Sequence, residues 1–453
     1  MNGNHPFFKW LSLSIAVLCL LSCSWMQGIS FLSTPTVSPS PAQPTVQPSN
    51  ATTLPLPSTT QPTASPLPST PTTQPGTSPF PATPISSSTG IAHFTSGQKI
   101  SITYIRMLDS MRGWAIGGLS MVSDHVFTTK DGGQTWRDVT PPEPTPGQGL
   151  QWQALGAFID TSSAWVVYAP SFGSPAPQSV SIWYTHDGGA SWQVSQLDTS
   201  AYQEFFDPSH LVFMDNQHGW MLAHVGVGMN HDYVVIAATS DGGVSWNVLL
   251  DPVKDGSIQS CPKNGMAFAD TQTGWLTPDC NGVDPTPHLF QTVDGGSTWT
   301  RLDLPAPVGQ PDLFTNDSCG MHSPAVFSAL AAAFDMKCLD NATFKVEQDY
   351  LYRTSDGGKT WQTNSYPGGD LSFFSPQWGL ALNQDLIQVT TDGGQHWTIK
   401  SQGITWNGQF SFVDTSLGWA VATNASAVAL VKTVSSNGNW DGTWDIIRPQ
   451  VGP

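Results

Sequence analysis

The chain has 453 residues and a net charge of −17 at pH 7, with only 11% charged residues beside 42 glycines, 37 prolines and 19 tryptophans. The scarcity of charged helix formers favours strands and turns over helices, and the length permits one large all-β domain with appendages. The acidic balance argues against binding nucleic acid, because contacts with phosphates need a patch of Lys and Arg.

The first predicted element is an export signal over residues 1–22. Lys9 precedes an apolar run that ends in Leu-Leu-Ser-Cys, with Cys23 last. A weakly basic start followed by a short apolar core is the pattern of a secretory signal peptide, and the last four residues resemble a bacterial lipobox, in which Cys23 is lipidated. The alternative is an uncleaved anchor, since residues 10–32 are apolar enough to just span a bilayer. Both interpretations predict an extracytoplasmic protein held at the outer face of the cell membrane.

Residues 23–90 are predicted to form a membrane-tethered linker. From Ser33 to Thr89 the chain is almost entirely Pro, Ser, Thr, Gln and Ala, and it contains no Asp, Glu, Lys or Arg. Such a composition cannot bury enough apolar surface to offset the loss of chain entropy on folding. We therefore expect a disordered, Pro/Ser/Thr-rich stalk that is extended and partly polyproline.

The remaining segment, residues 91–453, is organised by a repeated motif, Thr-x-Asp-Gly-Gly-x-x-Trp. Runs rich in β-branched and aromatic residues flank each copy, so each motif is predicted to be the turn of a β-hairpin. The Asp accepts backbone N–H groups within the turn, and the glycines supply positive φ angles. The six copies have their aspartates at Asp131, Asp187, Asp241, Asp294, Asp356 and Asp392.

The motif resembles the Asp-box, or BNR repeat, of sialidase-type β-propellers. The resemblance implies that the six aspartates are structural and that the boxes lie on the rim away from any ligand. A second pattern, Asp-x-x-x-Gly-Trp, precedes most boxes, as at Gly274-Trp275. Together the two patterns define four strands per repeat, here called A to D, which is the content of a propeller blade.

The cysteines identify a repeat whose Gly-Trp pair has been lost. Superposing Cys319 and Cys338 on Cys261 and Cys280 places Ala332-Ala333 where other repeats have Gly-Trp. Counting this unit and a last one without an Asp-box gives an all-β fold of seven four-stranded blades. Ring closure is left open between addition of residues 91–100 to the last blade and packing alone.

Each cysteine pair flanks an A–B strand pair, and those ends of antiparallel strands lie side by side. We therefore predict disulfides Cys261–Cys280 and Cys319–Cys338, which fit an oxidising compartment. Metal binding is the alternative, but no Cys or His stands at Cys-x-x-Cys spacing.

The B–C and D–A loops vary in length, and their face of the ring is the predicted binding face. We name candidate polar and aromatic contacts there, which loop capping would explain equally: Trp152, Phe172, Tyr202, His224, His231, Asp232, Asp284 and His288. His224, His231 and Asp232 could form a metal cluster, but a loop His pair without a third spaced ligand is weak evidence. We expect no metal and no cofactor.

The resemblance to sialidases implies three arginines that clamp a substrate carboxylate, a Tyr–Glu nucleophile pair and an acidic Asp. The chain has six arginines in unsuitable positions and no Arg-Ile-Pro motif, so we predict no catalytic residues. The overall pattern, over roughly residues 98–450, is similar to photosystem II stability/assembly factor-like propellers, which bind protein clients. Those factors present a basic patch, which this acidic chain lacks, so we adopt the scaffold and not the photosystem role.

The predicted function is a non-catalytic module that binds an unknown protein or glycan client as a monomer, without nucleic acid. The alternative is an exo-acting glycan hydrolase, either sialidase-like or glucan-hydrolysing.

Overall fold

The computed structural model describes residues 90–453, apart from short gaps. The gaps are residues 121, 144–151, 171–174, 203, 229–230, 253, 255–257, 259–260, 281–283, 285, 344, 384, 425–426 and 437–438. Four predicted features lie outside the described residues: the signal, the lipidation site Cys23, the stalk up to residue 89 and the candidate Phe172. The domain boundaries proposed in that part of the chain remain predictions.

Seven antiparallel sheets, each of at least four strands, form the ring. The inner strands, A, are β1 (Ser101–Met107), β5 (Trp152–Phe158), β9 (Asp207–Phe213), β13 (Lys263–Phe268), β17 (Asp317–Met321) with β18 (Ala325–Ser328), β22 (Asp370–Phe373) and β26 (Trp406–Phe412). The B strands are β2 (Gly113–Gly118), β6 (Ala164–Pro170), β10 (Gly219–Gly228), β14 (Gly274–Pro278), β19 (Ala331–Asp340), β23 (Gly379–Asn383) and β27 (Gly418–Asn424).

The C and D strands flank the Asp-boxes. The C strands are β3 (His125–Thr129), β7 (Ser179–Thr185), β11 (His231–Thr239), β15 (His288–Thr292), β20 (Val346–Thr354), β24 (Leu386–Thr390) and β28 (Ala427–Ser436). The D strands are β4 (Thr135–Asp138), β8 (Gln193–Asp198), β12 (Asn247–Leu250), β16 (Thr300–Asp303), β21 (Gln362–Tyr366), β25 (Thr398–Ser401) and β29 (Asn439–Ile447). The prediction of seven four-stranded blades is confirmed.

In the described part of the chain, the one helix is α1 (Leu313–Asn316). No helix in that part has the length and apolar character that a membrane crossing requires.

The core lies between neighbouring blades, because each strand of a blade directs alternate side chains to opposite neighbours. Trp165 in β6 is fully buried and stacks on Phe213 of the next blade with ring centroids 3.7 Å apart. Trp220 repeats this arrangement one blade further on, stacked on Phe268 at 3.8 Å. The strand that carries the Gly-Trp pair, strand B, therefore provides the aromatic contact between one blade and the next.

The fifth blade confirms the register inferred from the cysteines. Ala332 pairs with the box threonine Thr354, just as Gly274 pairs with Thr292 in the fourth blade. Both disulfides are present, with Cα–Cα distances of 4.8 Å for Cys261–Cys280 and 4.2 Å for Cys319–Cys338.

Side-chain donors join several blades to the next Asp-box, and one persists where the tryptophan has been lost. The Trp165 indole donates to the carbonyl of Gly242, the first glycine of the next box, over 2.7 Å. In the fifth blade, where Ala333 replaces the tryptophan, Arg353 of β20 donates to the equivalent carbonyl of Gly393. The carbonyl of the first box glycine thus accepts a hydrogen bond in both places, but the donor comes from a different strand.

The ring closes by packing of the seventh blade on the first, where the Trp419 indole donates to the Gly132 carbonyl, and by a C-terminal strand that neither prediction included. A short strand, β30 (Gln450–Val451), pairs in parallel with β4 of the first blade. Residues 91–100 do not extend the last blade, because Lys99 pairs with Gln450 instead. Lys99 and the β30 segment are therefore fastened to the outer edge of the first blade, and they cover an otherwise open sheet edge.

The inner strand of the fifth blade is interrupted. Met321 pairs with Met336 in β19, and Ala325 pairs with Ala333. Three residues, His322 to Pro324, therefore face two residues of β19, which is a β-bulge. Bulges commonly re-aim a side chain at functional positions, and here the bulge begins at His322.

Candidate binding face

One face of the ring consists of the A–B turns and the Asp-boxes. In the second blade, the Asp187 carboxylate accepts the Ser191 hydroxyl at 2.6 Å, the Ser191 backbone N–H at 2.9 Å and the Thr185 hydroxyl at 2.8 Å. These hydrogen bonds, led by the Ser191 hydroxyl, lower the pKa of Asp187 to about 2. The equivalent bonds from Thr360 lower the pKa of Asp356 to about 2. Carboxylates held ionised in this way are poor proton donors at neutral pH.

Backbone hydrogen bonds tie every box to the A–B turn of its own blade. In all six boxes the first glycine donates its N–H to an A–B turn carbonyl over 2.8–2.9 Å. The donor–acceptor pairs are Gly132–Met111, Gly188–Ser162, Gly242–Gln217, Gly295–Gln272, Gly357–Leu330 and Gly393–Gln377. These glycines have φ angles from 73° to 77°, where a Cβ is disfavoured. This face is therefore uniform and internally hydrogen-bonded.

The opposite face carries the B–C and D–A connections and the candidate contacts. Two of its aromatic candidates are packed into the core. Trp152 begins β5 and lies half-buried against the cluster between the first two blades. Tyr202 is 8% exposed and lies 5.8 Å from the ring of Phe206, and burial raises the pKa of Tyr202 to about 12. Neither ring is presented freely to a ligand.

Asp232 is a buried anchor between the third and fourth blades. Its carboxylate lies 2.8 Å from His224 Nδ1 and accepts the Lys263 backbone N–H at 2.9 Å. The Lys263 ammonium donates to the Asp232 carbonyl at 3.2 Å. Burial lowers the pKa of Lys263 to about 8. The structure thus brings His224 and Asp232 together, with a buried lysine that sequence reasoning missed.

His231 does not join that pair. It is exposed at the start of β11 and stacks near Tyr233 at 6.3 Å. Within the described residues, no group of three or more His, Cys, Asp or Glu side chains is placed to hold a metal ion.

Asp284 and His288 form a separate group on the fourth blade. The Arg301 guanidinium donates to Asp284 over 2.7 Å, and this ion pair is partly exposed. His288 is fully buried and its Nδ1 lies 3.1 Å from the Thr286 carbonyl. Burial lowers the pKa of His288, so its imidazole is neutral at pH 7. The seven described candidates therefore do not converge on one point.

A polar cluster that the sequence did not reveal lies between the fifth and sixth blades. His322 Nδ1 is 2.5 Å from the Asp335 carboxylate. Mainly through the charge of Asp335, the pKa of His322 rises to about 9. Asp349 is 8% exposed, and burial raises the pKa of its carboxyl to about 6. Lys337 stands directly across from Asp349 in the β19–β20 ladder.

The D–A connection between these blades encloses the cluster. A Cβ on Gly368 would stand 2.6 Å from the Asp349 carboxylate, and one on Gly369 would strike the Leu382 carbonyl. Both glycines have positive φ angles, 86° and 90°. Asp370, the first residue of β22, follows them and is half-buried. The cluster therefore lies on the loop side of the ring.

The central channel contains a small cavity of about 30 Å³ lined by inner strands of the first three blades, including Tyr104, Arg106 and His210. That volume holds roughly two water molecules. It is too small for a sugar ring.

A ring of seven four-stranded blades with Asp-boxes at the C–D turns defines a sialidase-superfamily-like β-propeller. The chain is 26% identical over 178 residues to the photosystem II assembly lipoprotein Ycf48 of Synechococcus sp. (strain CC9902). That alignment covers 38% of this chain and 40% of the lipoprotein. It is 28% identical over 149 residues to a sialidase of Bacteroides fragilis (strain YCH46), covering 25% of this chain and 27% of the sialidase. The chain thus spans under half the length of each of these curated relatives.

Among solved structures, YCF48 from Cyanidioschyzon merolae aligns with a TM-score of 0.47 and 15% identity, covering 75% of this chain and 97% of that one. No family model matches the chain. The two disulfides indicate an extracytoplasmic protein, since such bonds persist in oxidising compartments.

Proposed function

We propose that this chain is an extracytoplasmic, non-catalytic propeller that binds a protein or glycan client through the face formed by its B–C and D–A loops. The observation that carries the proposal is the difference between the two faces. The Asp-box face is satisfied by its own hydrogen bonds, as at Asp187 and Gly188. The loop face holds the irregular connections and the buried charges at Asp232 and Asp349.

The relatives are compatible with such a role. One is named as an assembly lipoprotein and the other as a sialidase, so propellers of this kind are associated with both protein partners and glycans. The acidic net charge of −17 favours clients with basic surfaces, since complementary charge accelerates encounter.

Loop-face and box-face variants should separate binding from stability. His231→Ala changes an exposed loop-side ring, and we expect it to weaken client capture with little change in melting temperature. Asp241→Ala removes the carboxylate that accepts the Ser245 N–H and hydroxyl, and we expect lower stability with intact capture by the remaining folded protein. Pull-down against envelope extracts, with thermal melts in parallel, measures both. The reverse pattern would contradict the assignment of faces.

The alternative function of this chain, glycan hydrolysis, is tested with the same protein. Fluorogenic sialosides and β-glucans should show no turnover above that of heat-unfolded protein. Clear turnover that is retained after further purification would refute the non-catalytic role.

We also propose that Cys23 carries the lipid that tethers the propeller through residues 23–90. The support is the Leu-Leu-Ser-Cys sequence that ends at Cys23. Fatty-acid labelling in a bacterial host should therefore disappear in Cys23→Ser while Cys19→Ser keeps it. Absence of labelling in the wild-type protein would argue for the uncleaved anchor.

A further inference from the structure

The polar cluster between the fifth and sixth blades contains buried acceptors without donors. Asp335 is 2% exposed, and one of its carboxylate oxygens, Oδ1, has no hydrogen-bond partner among the residues that the structure describes. Asp349 is 8% exposed, and its Oδ1 is likewise without a partner. Leaving a charged acceptor buried and unpaired costs considerable free energy. Two such oxygens in one cluster can accept hydrogen bonds from a donor outside the fold.

The charge balance of the cluster indicates which kind of donor fits. Asp335, Asp349 and Asp370 supply three carboxylates, and His322 and Lys337 supply two cations. The pKa of Asp349 is raised to about 6 by burial first and then by the charge of Asp335, and the pKa of Asp370 is also raised by burial. Asp279 also acts on His322 through its charge, so the carboxylates near the cluster outnumber its two cations, and an added cation would reduce that imbalance.

The cluster is also reachable. The His322 side chain is 40% exposed although Asp335 beside it is buried. The β-bulge that begins at His322 opens the inner strand at this point, and Asp370 is half-buried at the start of β22. Because the free oxygens of Asp335 and Asp349 are buried, a long side chain that enters beside His322 would have to displace the D–A connection to place its head group against them.

We propose that this cluster is a receptor for a cationic side chain of the client, a lysine ammonium or arginine guanidinium, which donates to the free oxygens of Asp335 and Asp349. The inference rests on the proposed client-binding function and adds the chemistry of the group recognised. It commits to a basic protein segment as the occupant, because a cation supplies both the missing donors and the missing charge. A neutral glycan supplies donors but leaves the charge uncompensated.

The probe for the test is octalysine, with fully acetylated octalysine as its neutral counterpart. Binding to the full-length protein in detergent is measured by calorimetry at pH 7.5 and moderate salt. We expect octalysine to bind and the acetylated peptide not to bind. Asp349→Asn and Asp335→Asn should each weaken octalysine binding about tenfold, the effect of losing about 1.4 kcal/mol.

The matched control is Asp385→Asn. It removes the same charge from the same side of the ring, in the B–C loop of the sixth blade, and Asp385 is exposed. It should weaken binding less than about twofold, since exposed charges interact weakly at moderate salt. An equal loss in Asp385→Asn and Asp349→Asn would show attraction to the acidic surface as a whole and would overturn the proposal.

Stability distinguishes a receptor from a structural role. Because the folded-state pKa of Asp349, about 6, lies above its unfolded value, the folded state loses stability as pH rises from about 4 to about 6, and the full loss is present at pH 7.5. Asp349→Asn should therefore keep or raise the melting temperature at pH 7.5 while it weakens octalysine binding. A fall in melting temperature that matches the loss of binding would assign the carboxylate to the fold instead.

The outcomes separate this inference from the proposed function. In one outcome, octalysine binding is insensitive to Asp335→Asn and Asp349→Asn while loop-face variants still abolish client capture. That result would refute the cation receptor alone and leave the proposed client-binding function standing. Binding of a neutral oligosaccharide at the cluster, lost in Asp349→Asn, would replace the cationic ligand with a glycan. Turnover of a glycan substrate would refute the non-catalytic function itself.

Discussion

Replacing all four disulfide cysteines by alanine should lower the free energy of unfolding by roughly 6 kcal/mol. Each bridge closes a loop with a sequence separation of 19 residues, and constraining a loop of that size in the unfolded chain contributes about 3 kcal/mol. The four sulfur positions are between 0% and 5% exposed, so alanine introduces no new polar group into the core. Urea unfolding followed by tryptophan fluorescence measures the change.

The two variants that each lack one bridge serve as controls. Cys261→Ala with Cys280→Ala, and Cys319→Ala with Cys338→Ala, should each lose about half of the total. Reduction of the wild-type protein with a strong thiol should reproduce the fourfold variant. A midpoint that does not move in any of these experiments would contradict a stabilising role for the bridges.

Trp165→Ala should cost about 3–5 kcal/mol, the range for truncating a fully buried tryptophan. Trp165 is 0% exposed, stacks on Phe213 at 3.7 Å and donates to the Gly242 carbonyl over 2.7 Å. The substitution therefore removes both the ring and the hydrogen bond that join the second blade to the third. Equilibrium urea unfolding provides the measurement.

Phenylalanine separates the ring from the hydrogen bond. Trp165→Phe keeps an aromatic ring but leaves the Gly242 carbonyl without this donor. Trp275 is the matched control, because it is 1% exposed and its indole nitrogen has no hydrogen-bond partner in the described part of the chain. Trp165→Phe should cost about 1 kcal/mol more than Trp275→Phe, the net value of a hydrogen bond. Equal costs would mean that ring packing alone joins the blades.

The Asp-box prediction succeeded because the box is a local device. Thr185, Asp187 and Ser191 bond to one another within seven residues of chain, so the motif itself specifies the turn. The register of the fifth blade was also predictable, because the cysteine spacing repeats that of the fourth blade. Local hydrogen bonds and repeated spacings depend directly on the order of residues, so they can be predicted from the sequence.

The candidate contacts on the loop face stay predictions, and the burial of two of them could not be predicted from the sequence. Asp232 and His288 are polar residues in loop-like sequence, yet the structure buries them to 2% and 0% exposure. Phe334 and Asp335 are consecutive residues of β19. Because side chains alternate along a strand, these two point to opposite faces of the sheet. Sequence alternation separates the two sides of a strand but does not say whether the polar side meets solvent or another blade.

By itself, the sequence determined the blade: four strands, a carboxylate-bound turn, a tryptophan that faces the next unit, and two cross-strand disulfides. Only the tertiary structure decided how the ring closes, because the pairing of Gln450 with Thr135 joins residues far apart in the chain. It also decided that Asp335, Asp349 and Asp370 meet beneath one interblade connection. Contacts between blades depend on how neighbouring sheets pack, and no local pattern encodes that arrangement.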